Sequence, residues 1–179
     1  MAPRGIHGRV FVIDGDVDTD IILAARHLAE TDPAAMARNC FADLGATPSF
    51  KAGQYPIVIV SGLFGIGLVR PPVPMAMRAA GIEAVIAGEL SPLFFEHSLN
   101  GGAVLPLQAK LPRRPFTGEV AQLLLDGERA QLIWDAGNVD FPCRLPPWSL
   151  AGESWVETMQ KRVEEAGGLS ALQASLRRG

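Results

Sequence analysis

The stretch from Pro56 to Gly81, PIVIVSGLFGIGLVRPPVPMAMRAAG, predicts a strand, a glycine-rich loop and a helix in that order. The apolar, β-branched run Ile57 to Val60 is typical of a strand buried on both faces. The glycines that follow it, Gly62, Gly65 and Gly67, would let the backbone turn tightly or approach another molecule closely. We expect the rest of the chain to be organised around this unit.

The helix of this unit is predicted from Val73 to Ala80, after Pro71 and Pro72 and before a stop at Gly81. Arg70 stands immediately before the two prolines. Because both a guanidinium group and the amides of a helix N-terminus bind anions, we expect an anion site at this corner. The alternative is a surface arginine that pairs with a nearby aspartate.

Length and composition limit the class of protein. The chain has 179 residues, of which 48% are hydrophobic, and this favours one globular domain over residues 1–179. A net charge of -3 with interspersed charges argues against a nucleic-acid surface. We find no signal peptide and no run long enough to cross a membrane. The usage of two separate cysteines favours a cytoplasmic protein. Cys40 and Cys143 lack metal-ligand spacing, so we expect reduced core residues, no metal site and no iron–sulfur cluster held by them alone.

An acidic segment follows the first predicted strand, His7 to Ile13. Four aspartates alternate within DGDVDTDII: Asp14, Asp16, Asp18 and Asp20. Side chains two apart in an extended segment point to the same side, so these carboxylates are expected to crowd. Two main interpretations stay open: a polar loop whose side chains bond to nearby backbone, and a functional acidic loop. A calcium loop is a weaker alternative, because the glycine and closing glutamate of an EF-hand are absent.

The next segment contains a polar connection and a predicted helix. Asp32-Pro33 is typical of a helix start, and the pattern predicts a helix through AAMARNCFADL that ends at Gly45. Residues 45–54 have the composition of a loop and would suit a mobile flap. In the connection before the helix, His27 and Glu30 are either solvated loop residues or groups for binding and acid–base chemistry.

Beyond Gly81 the pattern alternates strands and helices and then turns to strands. Strands are predicted at 82–87, 104–107, 120–125, 129–134 and 139–145, and helices at 91–99, 153–166 and 169–176. The fold class is therefore α/β. A parallel strand–helix–strand unit would place the glycine loop at a strand carboxyl end, where ligands gather in open α/β sheets.

The order of these segments resembles the small subunit of 3-isopropylmalate dehydratase, which corresponds to the swivelling domain of aconitase-family hydro-lyases. GRVFVIDGDVDTDIIL is similar to the family's G-R-x-x-x-x-G-D-x-x-D-T-D-x-I-I. GLFGIGLVRPPVPMAMRAAGIEAVIA is similar to N-F-G-x-G-S-S-R-E-x-A-x-x-A-L-x-x-x-G-x-x-x-V-I-A, and TDPAAMARNCF and EEAGGLSAL resemble a helix and the ending of the family. The likeness covers nearly the whole chain.

This resemblance implies a swivelling β/β/α domain of the aconitase C-terminal type, with a mixed central sheet flanked by helices. It implies a partner, a large subunit that carries a [4Fe-4S] cluster, so that this chain binds no cofactor itself. It also implies a small hydroxy-carboxylate substrate that is dehydrated and rehydrated. The residues it assigns are Asp20 and Arg70 for catalysis and Asp18, Thr19, His27, Glu30, Gly65, Gly67 and Arg70 for substrate binding.

The departures from the family pattern fall on the chemistry. Where the family has Gly-Ser-Ser-Arg-Glu, this chain has Gly67-Leu68-Val69-Arg70-Pro71, so both serines are absent, including the one implied as the catalytic base. The family's A-K-S-F-A-R-I-F-Y-R-N corresponds to residues 87–97, AGELSPLFFEH, which lack its lysine and both arginines. A pocket with fewer cations offers fewer charge-assisted hydrogen bonds to a dicarboxylate or tricarboxylate.

Three functional hypotheses remain open from the sequence. The first is a diverged small subunit of a hydro-lyase that acts on an unusual hydroxy-acid. The second is a non-catalytic relative that serves as a structural or regulatory partner or binds a small anion. The third is a changed reaction in which Asp20, Glu89 or His97 replaces the missing base.

Overall fold

A computed structural model describes residues 4–100, 102–126, 128–143 and 161–176. Its strands are β1 (Arg4–Ile13), β2 (Val17–Asp18), β3 (Ile57–Ile66), β4 (Ala84–Leu90), β5 (Leu105–Gln108), β6 (Val120–Asp126), β7 (Arg129–Trp134) and β8 (Gly137–Pro142). Its helices are α1 (Thr19–Ile22), α2 (Pro33–Asn39), α3 (Pro72–Ala79), α4 (Pro92–Asn100), α5 (161–166) and α6 (Leu169–Leu176), with a 3₁₀ turn at Ala25–His27.

The described strands form one mixed sheet in the order β5-β4-β3-β1-β6-β7-β8, with β2 paired to β3. Strand β1 is parallel to β3 on one side and antiparallel to β6 on the other. Strands β3, β4 and β5 continue the parallel half, whereas β6, β7 and β8 form an antiparallel meander. The predicted fold class, a mixed sheet with flanking helices, is confirmed, and so is the parallel β3–α3–β4 unit.

Strand β3 is longer than predicted, because it runs to Ile66 and not to Val60. Its extension pairs with β2 on one side and with the end of β4 on the other, across an irregularity between Val60 and Leu63. The prediction that the glycine run is a loop throughout was therefore wrong. Gly62 and Gly65 lie within a strand, and the turn toward α3 begins only at Gly67.

Helix α2 begins where the sequence predicts but ends early. The Asp32 carboxylate accepts hydrogen bonds from the amides of Ala34 and Ala35, which caps the helix with Pro33 at its first position. The predicted continuation to Gly45 was wrong, because the chain leaves the helix at Cys40. Phe41 has a φ of 56°, and its amide donates to the Ile22 carbonyl 2.9 Å away.

An aromatic cluster explains this early end and fixes the connection that follows. The ring of Phe41 is buried against Phe11, Phe50 and Phe64, with ring centroids 5.2 to 6.5 Å apart. Phe50 also meets Phe11 edge-on at 5.3 Å. The connection predicted as a flap, residues 45–54, is thus anchored near its middle by Phe50.

The remaining elements agree with the predicted types. The 91–99 helix, the strands at 82–87 and 104–107 and the 120–134 hairpin correspond to α4, β4, β5 and β6–β7, and 169–176 to α6. Residues 144–145 of the strand predicted at 139–145 and 153–160 of the helix predicted at 153–166 lie outside the described residues, and 161–166 are helical. No helix in the described regions has the length and apolar character needed to span a membrane.

Candidate functional site

The acidic segment packs against the end of the glycine run. Strand β2 pairs with β3 in a register that sets Asp18 opposite Ile66. A Cβ on Gly67 would lie 3.4 Å from both the Asp18 Oδ2 and the Thr19 Oγ1 atoms. Three of the predicted site residues, Asp18, Thr19 and Gly67, are therefore brought together at the carboxyl end of β3.

The four alternating carboxylates do not share one side of an extended chain, so the expectation that they crowd was wrong. The segment is a two-residue strand followed by the helical turn α1, so the side chains diverge. Asp16 Oδ1 accepts from the Leu63 amide at 2.8 Å, and Asp18 Oδ1 accepts from the Asp20 amide at 2.8 Å, while Asp14 pairs with an arginine. The Asp20 carboxylate is exposed, and the described residues give it no hydrogen bond or ion pair.

Two of the glycines are explained by packing within the fold. A Cβ on Gly62 would lie 2.6 Å from the backbone carbonyl carbon and oxygen of Gly15, so no side chain fits there. Gly65 has a φ of 85°, and a Cβ on it would lie 2.6 Å from the Cβ of Phe94. The assignment of Gly65 to substrate binding stays a prediction, and its buried position has this separate structural cause.

Arg70 is exposed at the start of α3 and makes no ion pair or side-chain hydrogen bond within the described part of the chain. The alternative of a pairing with a nearby aspartate therefore does not hold there. The amides at the start of α3 are not available to an anion. Pro71, Pro72 and Pro74 have no N–H group, and the Val73 amide already donates to the Arg70 carbonyl at 3.0 Å. The expected contribution of the helix amides was therefore wrong, and anion binding by the Arg70 side chain stays a prediction.

The two residues in place of the family's serines have opposite environments. Leu68 is 64% exposed, whereas Val69 is 3% exposed and belongs to the core. Met75 and Leu93, near the starts of α3 and α4, are also exposed. Because both helices begin after the carboxyl ends of parallel strands, this edge of the sheet presents apolar as well as charged surface.

The other candidate residues lie in separate surroundings. His27 is half-buried in the 3₁₀ turn, and the Glu30 carboxylate accepts from the amides of Thr31 and Asp32, each at 3.0 Å. No hydrogen bond or ion pair among the described residues joins either side chain to Asp18, Thr19 or Gly67. Glu89 lies 3.6 Å from Lys110, and His97 is half-buried on α4.

The thiols do not fit an iron–sulfur cluster. The chain has two cysteines, fewer than the ligands such a cluster requires, and both are buried as predicted. Burial raises the pKa of the Cys143 thiol to about 11, although a hydrogen bond with the Ser170 backbone lowers it. Burial also raises the pKa of the Cys40 thiol. Within the described ranges, no three His, Cys, Asp or Glu residues are grouped to hold a metal ion.

Sequence reasoning missed the contacts that hold the acidic segment in place. Ser61 Oγ accepts from the Gly15 amide at 2.8 Å, and the Gly62 amide donates to the Gly15 carbonyl at 3.1 Å. A serine beside glycine in a strand gives no local signal of such a contact, since its partner lies 46 positions away.

A comparison with solved structures gives the class of domain. The fold is similar to the crystal structure of 3-isopropylmalate dehydratase from Methanocaldococcus jannaschii, with a TM-score of 0.67 and 26% identity. The match covers 97% of this chain and 96% of that chain. The fold is thus that of the aconitase-type swivelling domain.

The sequence relatives give the family. The chain is 30% identical over 162 residues to the 2,3-dimethylmalate dehydratase small subunit of Eubacterium barkeri, which covers 90% of this chain and 92% of that subunit. It is 36% identical over 118 residues to the 3-isopropylmalate dehydratase small subunit of Metallosphaera sedula, 66% of this chain and 73% of that subunit. A scan against family models gave no match. The chain belongs to the family of these dehydratase small subunits, as the sequence resemblance predicts.

Proposed function

We propose that this chain is the small subunit of a two-subunit hydro-lyase, and that its substrate is a hydroxy-dicarboxylate with an alkyl substituent. The observation that carries the proposal is the exposed Arg70, which has no anionic partner in the described regions. It follows Gly67, which lies against Asp18 and Thr19. A guanidinium group in this position has its donors available for one substrate carboxylate.

The substrate class is supported by the surface around Arg70. The relatives act, by their names, on 3-isopropylmalate and 2,3-dimethylmalate, both of which are malates that carry alkyl groups. The exposed Leu68 adds an apolar surface near the cation. An alkyl group on the substrate would bury part of this surface, which favours binding in water.

We assign the proton-transfer role to Asp20. Leu68 and Val69 cannot accept a proton, so the loop itself offers no base. The Asp20 carboxylate is exposed next to Thr19, with no partner among the residues described. Its backbone amide is held by Asp18, which fixes the start of α1 and hence the position of this side chain.

The partner in this proposal is a large subunit that carries the [4Fe-4S] cluster. Such a cluster binds and activates a substrate hydroxyl group when it is present, and this chain lacks the thiolates to hold it. Its own residues would bind a carboxylate through Arg70 and move a proton through Asp20.

Co-expression with candidate large subunits tests the proposal. We expect a stable complex that turns over alkyl-substituted malates, measured by the absorbance of the unsaturated product. The rate of turnover should fall at least about a hundredfold in Arg70→Ala. Arg78→Ala, which removes an exposed arginine that lies on α3 itself, is the matched control and should keep the unaltered rate. Failure to bind any large subunit would contradict the proposal.

A second candidate function is a non-catalytic subunit, and the replacement of both serines by Leu68 and Val69 favours it. The same experiment separates the two candidates. A complex that forms without turnover, and that is unaffected by Arg70→Ala, would support the non-catalytic subunit. Turnover that requires Arg70 and Asp20 would exclude it.

A further inference from the structure

A recess lies beside the parallel half of the sheet. It is a cavity of about 160 Å³, roughly the volume that five water molecules occupy in the liquid. The middle of β3 and the segment that leaves β5 form its wall, whose lining residues are Ile59, Val60, Ser61, Ala109, Lys110, Leu111 and Arg114. None of these belongs to the site proposed around Arg70.

The lining divides into an apolar part and a cationic part. Ile59, Val60, Ala109 and Leu111 supply aliphatic surface, whereas Lys110 and Arg114 supply positive charge. The residues described around the cavity include no carboxylate. The ion-pair partners of both cations, Glu89 and Asp14, do not line it.

Both cations and the serine have donors left for a ligand. Arg114 uses Nη2 for Asp14, and the described residues engage none of its other N–H groups. Lys110 Nζ lies 3.6 Å from Glu89, which is longer than a hydrogen bond. The Ser61 oxygen accepts from the Gly15 amide, so its own proton is available to donate.

We propose that this cavity binds a small aliphatic monocarboxylate, a molecule with one anionic end and a short branched or linear alkyl end. Its carboxylate would accept hydrogen bonds from Arg114, Lys110 and Ser61. Its alkyl group would lie on the half-buried Ala109 and Leu111, where burial of apolar surface favours binding. The anion adds to the two existing ion pairs and displaces neither Asp14 nor Glu89.

Titration of the full-length, isotope-labelled chain with isobutyrate tests this proposal, with backbone amide shifts as the readout. We expect saturable shifts at Ser61, Ala109 and Leu111 at concentrations up to about 50 mM, consistent with millimolar affinity. Arg114→Gln and Lys110→Gln should each weaken binding about tenfold or more, because each removes a charge-assisted hydrogen bond. Arg78→Gln is the matched control and should bind as the unaltered chain does.

Isobutyramide distinguishes recognition of charge from recognition of the alkyl group. It has nearly the same shape without the negative charge, and we expect no saturable shift with it. The proposal would be overturned by equal shifts with both compounds, by shifts confined to Asp18, Thr19 and Gly67, or by no shift at all. Lys110 and Arg114 are both partly exposed and their ion pairs contribute little to stability, so we expect the variants to fold. Spectra of the variants without ligand check this.

Discussion

Gly65 and Phe94 approach so closely that a Cβ on Gly65 would lie 2.6 Å from the Cβ of Phe94. Gly65 also has a positive φ of 85°, which other residues rarely adopt. This contact sets the start of α4 directly on the last part of β3. It thereby fixes the strand end next to which Gly67 and Arg70 lie.

Gly65→Ala should therefore destabilise the protein by about 2–4 kcal/mol, the sum of backbone strain and overpacking. Gly45→Ala is the control, because Gly45 also has a positive φ, of 65°, but has open space around it. We expect it to cost only about 1–2 kcal/mol. Urea denaturation of both variants measures the difference, and an equal loss in both would contradict the close packing at Gly65.

Leu68→Ser and Val69→Ser should differ in stability although they are neighbours. Leu68 is exposed, so its replacement should change the free energy of unfolding by less than about 0.5 kcal/mol. Val69 is buried, and a serine there loses apolar contacts and places a hydroxyl in the core, at a cost of about 2–3 kcal/mol. Thermal or urea unfolding measures the two changes in the free energy of unfolding. Equal changes would contradict the burial of Val69 and the exposure of Leu68.

Phe50→Ala should loosen the connection between α2 and β3. The Phe50 ring is half-buried and contacts Phe11 and Phe41, so we expect a loss of about 2 kcal/mol and faster amide hydrogen exchange over residues 42–54. Phe116 is 77% exposed, and Phe116→Ala is the matched control with little expected effect. Unchanged exchange rates in Phe50→Ala would show that the ring does not anchor this segment.

The buried thiols predict a loss of stability in alkaline solution. In the unfolded chain a thiol ionises near its ordinary pKa of about 8.5, whereas burial raises the pKa of Cys143 to about 11. Above the unfolded value the unfolded state releases a proton that the folded state keeps. The thiol's contribution to stability is thus complete below about pH 8.5 and declines toward pH 11, by up to about 1.4 kcal/mol per pH unit.

Urea unfolding at a series of pH values between about 8 and about 10.5 measures this decline. Cys143→Ala removes the group that titrates, so its stability should fall less steeply over the same range. Parallel curves for the two proteins would contradict the raised pKa of this thiol. The comparison is between slopes, because the substitution also lowers stability at neutral pH by leaving a small cavity.

The sequence predicts the types and order of the elements well, because each rests on local signals. The cap at Asp32-Pro33 and the β-branched run Ile57 to Val60 are examples, and α2 and β3 begin where these signals place them. The ends of both elements were predicted wrongly. Helix α2 stops because Phe41 turns into an aromatic cluster with Phe11 and Phe64, partners that are distant in sequence.

The candidate site was predictable only in part, because some of its contacts join segments that are distant in sequence. The resemblance places Asp18, Thr19 and Gly67 together, and the pairing of β2 with β3 brings them into contact. The expected amide corner failed on a local fact that the prediction overlooked, since Pro71 and Pro72 have no N–H to offer. The recess around Arg114 could not be predicted, because its walls come from segments that only the folded sheet brings together.

The position of β1 at the centre of the sheet has a consequence during protein synthesis. The amide of Val12 donates to the hydroxyl of Thr117, 105 positions later. The edge of β1 that faces away from β3 therefore has no partner until that part of the chain has left the ribosome. At roughly 5–20 residues per second this takes about 5–20 seconds, during which an apolar strand edge stays open to aggregation. Slow translation would lengthen this interval, and chaperones that cover nascent strand edges should raise the yield of the folded chain.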